Sequence, residues 1–181
     1  MLFGVPGSRR GEARVFSVGE YVMKSNEGVC RIDSTLMMQS YDAERGEIPY
    51  YLLIPVSNEN VKVYIPVSEE YRDVRPVMKK EEAIALLNRV ASIDAAVIEN
   101  DRQREQFYKE AMRSLKPDRL VEILKNMAER KEMRRNEGKK MTSIDERYTR
   151  LAEEALCQEV GFVLHKDERT IREEIARLLQ K

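Results

Sequence analysis

From Val15 to about Val77 the apolar residues arrive in short, dense runs: FSVGEYVMK, GVCRIDSTLMM, YYLLIPV and VKVYIPV. These runs favour β-branched and aromatic side chains, which suit a pleated surface, and they predict strands. The breaks carry turn chemistry, SNEG at 25–28, DAERGE at 42–47 and SNEN at 57–60, where Gly, Asn and Asp tolerate tight backbone conformations. Five short, closely spaced strands predict a small, strongly bent sheet or barrel. Pro55 and Pro66 fit strand ends, because proline cannot donate to an interior ladder.

From Lys79 onward the period changes from two to between three and four, predicting helices near 79–91, 93–114, 117–136, 143–164 and 167–180. Pro117 suits a first helical turn, where its missing N–H costs nothing. Gly138 sits where that helix should stop. Thr142 with Asp145, or Ser143 with Glu146, supplies an N-cap and an acid three residues on for the next helix. Phe107 and Tyr108 match core positions of the second helix. The pattern divides the chain into a tail expected to be mobile (1–14), a strand part (15–77) and a helical part (78–181). The fold class is α+β, with the small barrel preceding an all-helical domain.

Composition narrows the chemistry. The chain has 181 residues, 42% of them apolar, enough for a core. It has no run of about 18 apolar residues and no signal-peptide pattern at its start, so a soluble, cytoplasmic protein is expected, with no membrane partner. Cys30 and Cys157 stand apart from any metal-ligand spacing and read as buried thiols. The single histidine, His165, excludes a metal site or catalytic triad built on several imidazoles. It follows an apolar run and reads as a helix-end residue. Neither a Walker loop, a GxGxxG nor a GxSxG is present. The expectation is a non-enzyme with no cofactor, no metal and no small-molecule substrate.

Charge is partitioned although the total is zero. Residues 15–80 carry a net −2, residues 101–150 a net +5, and Arg113–Lys140 alone holds ten Lys/Arg against five Asp/Glu. Along the third helix the stripe Leu120, Ile123, Leu124, Met127 continues by steps of three and four into Arg130, Lys131, Arg134 and Arg135. A helix that only covers a core keeps its stripe apolar. Its second half is therefore expected to project and present cations, extended by Lys139 and Lys140 in the turn and by Arg147 beyond it. Phosphate is the natural partner for such spacing; a solvated helix end, with Glu129, Glu132 and Glu137 pairing locally, is the plainer alternative.

The strand part resembles a known family. FSVGEYVMKSNEGVCRI followed by YYLLIPV and VKVYIPVS is similar to the RNA polymerase-interacting domain shared by CarD/CdnL-type bacterial transcription regulators and the transcription-repair coupling factor. The matching features are the opening VG with Val22 following, Gly28 at the start of the next strand, the Tyr51/Leu53 strand and the KVYIPV partner. The helical part also resembles the CarD-type carboxy-terminal domain, so the likeness spans about residues 15–165.

That resemblance implies a Tudor-like barrel docking on the β subunit of bacterial RNA polymerase through a sheet edge. It also implies a helical domain contacting promoter duplex DNA near the transcription bubble and stabilising the open complex. On the polymerase side it points to Met38, Tyr51, Leu53, Lys62 and Tyr64. On the DNA side, Arg102 and Arg104 join the basic set of Arg130, Lys131, Arg134, Arg135, Lys139, Lys140 and Arg147. CarD-type proteins often place a tryptophan wedge in the region matching Val97 to Arg104, and this chain has no tryptophan. Two rival readings stand beside the one the resemblance implies. One is a protein–protein adaptor on RNA polymerase without direct DNA contact, using adaptable methionines such as Met133 and Met141. The other is an RNA binder, against which the strands lack an RNP-like aromatic pattern.

Overall fold

The computed structural model describes residues 15–40, 46–67, 74–98 and 100–180. The expected mobile tail, 1–14, and most of the 42–47 turn lie outside the described residues. Strands come first and helices after, the α+β organisation that the apolar periods predict.

The strands are β1 (Tyr21–Lys24), β2 (Gly28–Gln39), β3 (Glu47–Pro55), β4 (Val63–Pro66) and β5 (Val74–Pro76). They form one antiparallel sheet of order β4-β3-β2-β1-β5. Pro55 and Pro66 end their strands. No apolar run marks β5; it is a strand because it pairs with β1, Met23 opposite Arg75. Along β2 the register shifts between Ile32 and Ser34, a bulge that bends the sheet. One face buries Val22, Cys30, Ile32, Tyr51, Leu53 and Ile65 together. The Tyr51 hydroxyl accepts from Phe16 N–H at 2.9 Å, tying the lead-in segment to this core.

The helices are α1 (Lys80–Arg89), α2 (Asp101–Ser114), α3 (Pro117–Asn136), α4 (Ser143–Leu164) and α5 (Glu168–Leu178), with a 3-10 turn at Val90–Ser92. α3 and α4 begin and end where their punctuation predicts. Pro117 stands in the first turn of α3, Gly138 follows its end at φ +69°, and Thr142 and Asp145 make the reciprocal cap of α4. His165 ends α4 in the left-handed conformation. The expected helix over 93–114 is shorter at its start: Asn100 accepts from Gln103 N–H and begins α2 there, leaving 93–98 irregular. α4 packs against α1, α2, α3, α5 and β2, so it is the axis of the molecule. No helix among the described residues is long and apolar enough to cross a membrane.

The β1–β2 turn meets α4 directly. Gly28 has φ +75°, and a Cβ there would overlap the Gln158 side chain, whose Oε1 accepts from Val29 N–H at 2.9 Å. Gly28→Ala is expected to cost about 1–2 kcal/mol from the left-handed backbone alone, and more because Gln158 must leave Val29. In a Gln158→Ala background the same substitution should cost less, because only the backbone term remains. Urea unfolding of the four proteins in this cycle checks the expectation.

Candidate docking and phosphate-binding surfaces

The first surface lies on the far side of the β2–β3–β4 unit. Residues opposite one another across a ladder share a face, and faces alternate along a strand. The pairs Leu52–Tyr64, Leu36–Tyr50 and Met38–Ile48 therefore share the face turned away from the Tyr51/Leu53 core. Tyr64 is 41% exposed, Lys62 is exposed, and Leu36, Met38, Ile48 and Leu52 are half-buried. Tyr51 and Leu53 are buried on the opposite face. Their side chains hold the sheet together and offer no outward contact. Leu36, Ile48 and Leu52 are the neighbours that sequence reasoning missed; their signal is the alternation of β3 combined with the bulge in β2. β4 is an edge of the sheet among the described residues, and a free edge is a template for an added strand.

The second surface is the turn between α3 and α4. Gly138 N–H donates to Arg135 O at 3.0 Å and Lys139 N–H to Arg134 O at 2.8 Å, closing the end of α3. Arg134 Nε then donates to Lys140 O at 2.6 Å, so this arginine shapes the turn that displays the lysines. Arg135 is paired loosely with Glu132 at 3.9 Å and Lys139 with Glu137 at 2.9 Å, all exposed. The Lys139 hydrogen bond holds the Glu137 carboxyl below its ordinary value. Exposed pairs of this kind exchange readily with another anion. Lys131, Lys140 and Arg102 are exposed and carry no ion pair among the described residues, and Arg147 lies over the Tyr148 ring at 5.8 Å.

Arg130 does something different. It is 8% exposed, donating through Nε to Asp145 at 2.8 Å and through Nη2 to Asp101 at 3.1 Å. One guanidinium thus joins α3 to the starts of α4 and α2, and it faces carboxylates rather than solvent. Burial alone would raise the Asp145 carboxyl; the bonds from Arg130 and Thr142 outweigh it and hold that group below the ordinary carboxylate value. Arg104 pairs with Asp101 at 2.5 Å, and its Nε is buried with no hydrogen-bond partner among the described residues. Beside this network Asn126 donates to Ala96 O at 3.0 Å and accepts from the Tyr108 hydroxyl at 3.1 Å, pinning the irregular 93–98 segment. That segment presents Val97, an apolar side chain 98% exposed.

The sheet and the basic turn lie at opposite ends of α3. Leu115, just before it, packs on Met23 and Val29 of the sheet, while the basic turn follows its last residue. Twenty residues of helix span about 30 Å. Cys30 and Cys157 are buried and free, with burial pushing their thiols up to about 12 and about 11. No group of three or more His, Cys, Asp or Glu arranged to hold a metal occurs among the described residues.

The CarD-like/TRCF RID domain family matches residues 16–78, which takes in all five strands. A search of curated proteins found no match.

Proposed function

We propose, from a chain whose residues 16–78 form a CarD-like RNA polymerase-interacting domain, that this protein is a non-enzymatic transcription regulator working in the bacterial cytoplasm. In this reading the sheet is a Tudor-like barrel that docks on the polymerase β subunit through the β4 edge. Lys62, Tyr64 and Met38 contribute from the exposed face. Backbone pairing supplies affinity in such an arrangement, and alternate side chains supply selectivity. The basic turn, with Lys131, Arg135, Lys139, Lys140, Arg147 and Arg102, lies against promoter duplex near the upstream edge of the melted region and stabilises the open complex. Arg134 supports the turn, and Arg130 and Arg104 support the helices that carry it.

The observation that carries this reading is the family match over β1–β5, and its first test is polymerase binding. The full chain should bind the isolated β-subunit lobe of a bacterial RNA polymerase, and Tyr64→Ala should weaken that binding about tenfold, the range of a moderate interface anchor. Absence of binding by a folded sample would overturn the docking.

A second reading keeps the polymerase and replaces DNA by another protein. Met133 is 49% exposed beside the basic turn, and methionine adapts to varied partners. Retention of duplex DNA by the polymerase-bound protein, falling as salt rises, would decide for the phosphate reading.

A further inference from the structure

Between β5 and α1 the chain has only Val77–Lys79, and the junction is bonded on both sides. The two terminal nitrogens of Arg75 donate to the two oxygens of Glu159, each at 2.5 Å, while its Nε donates to Leu115 O at 2.8 Å. Glu159 lies in α4, fully buried, and its Oε1 also accepts from Met78 N–H at 2.8 Å. One carboxylate therefore gathers the edge strand β5 and the entry to α1 onto α4, and through Arg75 it reaches the α2–α3 connection. Beside it, Val29 N–H donates to Gln158 Oε1, and the Tyr21 and Phe162 rings meet at a 50° tilt with centroids 4.8 Å apart. Apolar contacts hold two parts together without fixing their angle, whereas a bidentate guanidinium–carboxylate pair fixes both distance and direction. Buried ion pairs add little net stability over apolar packing, so the directional role explains this one better.

We infer that Arg75 and Glu159 are positioning residues that make the protein a ruler: they fix the orientation of the sheet, and with it the polymerase-docking face, relative to the basic turn at the far end of α3. This rests on the two-surface function proposed above, and it replaces a flexible tether with a set geometry. Promoter contact then depends on the joint as well as on the cations. Free polymerase binding does not.

The joint can be read on its own. Spin labels at Met37→Cys and Arg135→Cys, both exposed positions, report the distance between the parts, while the buried, weakly ionised native thiols stay unlabelled. The unaltered joint should give one narrow distance distribution. Glu159→Gln should broaden it. Arg75→Met with Glu159→Met, which leaves no unpaired buried charge, should broaden it too while still unfolding cooperatively. In the full chain without labels, the double substitution should bind the β-subunit lobe normally yet shorten the lifetime of polymerase–promoter complexes by about a hundredfold, the lower end of what intramolecular engagement contributes. A broad distribution in the parent, or a narrow one in the folded double variant, would overturn the joint. An undiminished promoter lifetime in a broadened variant would overturn the ruler. If the parent itself left promoter lifetime unchanged while the joint behaved as described, the joint would stand and the promoter reading would fall.

Discussion

Asp145→Ala is expected to lower folding stability by about 3 kcal/mol, the lower end of the range for breaking a buried ion pair. The substitution strands the Arg130 guanidinium inside the helical part and removes the acid of the α4 cap. The cost stays at the lower end because Asp101, far more exposed than Asp145, still reaches Arg130. For a chain of this size that is a drop in melting temperature of roughly 6–12 °C. The pH dependence has a definite sign. The Asp145 carboxyl is held below its ordinary value when folded, so its contribution is fully present above the unfolded value near 3.9 and is lost as pH falls through the folded one. Thermal melts from pH 7 to pH 3 should show parent and variant converging at the acid end. A constant gap across that range would mean that the pair contributes by packing and not by charge.

Arg130 also shows why part of the tip was hard to read. Its place on the helical stripe follows from Leu120, Ile123, Leu124 and Met127, and the stripe does turn basic. Its partner, however, is on the next helix, fifteen residues away, and no local period reports such a contact. The cap signal did locate Asp145 at the start of α4. Combined with an antiparallel α3–α4 pair, it could have suggested that the first cation past the apolar stripe is spent inside. Lys131, one position on, points outward.

The strand part has a comparable limit. Alternation along YYLLIPV puts Tyr51 and Leu53 on one face of β3, where both are buried, and turn residues place most strand ends. Which face is outside depends on the bulge near Ser34 and on the pairing with β4, both non-local. So the resemblance put Tyr51, Leu53 and Tyr64 together, and the register separates the first two from the third. The expected second helix begins before α2 because Ile93 and Ile98 pack against the helical core as a helix would place them, while the Asn100 cap starts α2 only at Asp101. β5 has three residues and no apolar run; only its neighbour makes it a strand.

The second large effect is expected at the basic turn. Lys131, Lys139, Lys140 and Arg147, all changed to Glu, should abolish stabilisation of polymerase–promoter complexes and leave binding to the β-subunit lobe within twofold. None of these side chains holds the fold. Lys131 and Lys140 are unpaired among the described residues, Lys139 pairs only with exposed Glu137, and Arg147 rests on one face of Tyr148. Melting should therefore change little, since exposed charges contribute about 0–1 kcal/mol each. If each of these four cations meets one phosphate on duplex, the log–log salt slope of retention should be shallower by about 3.6 in the variant than in the parent, leaving only the share of Arg102 and Arg135. Arg134→Ala is the informative companion: it frees Lys140 O from its bond and should weaken promoter stabilisation with a smaller loss of salt slope than the quadruple variant, as a support for the turn would. Loss of lobe binding in the quadruple variant would place polymerase, rather than DNA, at the basic turn.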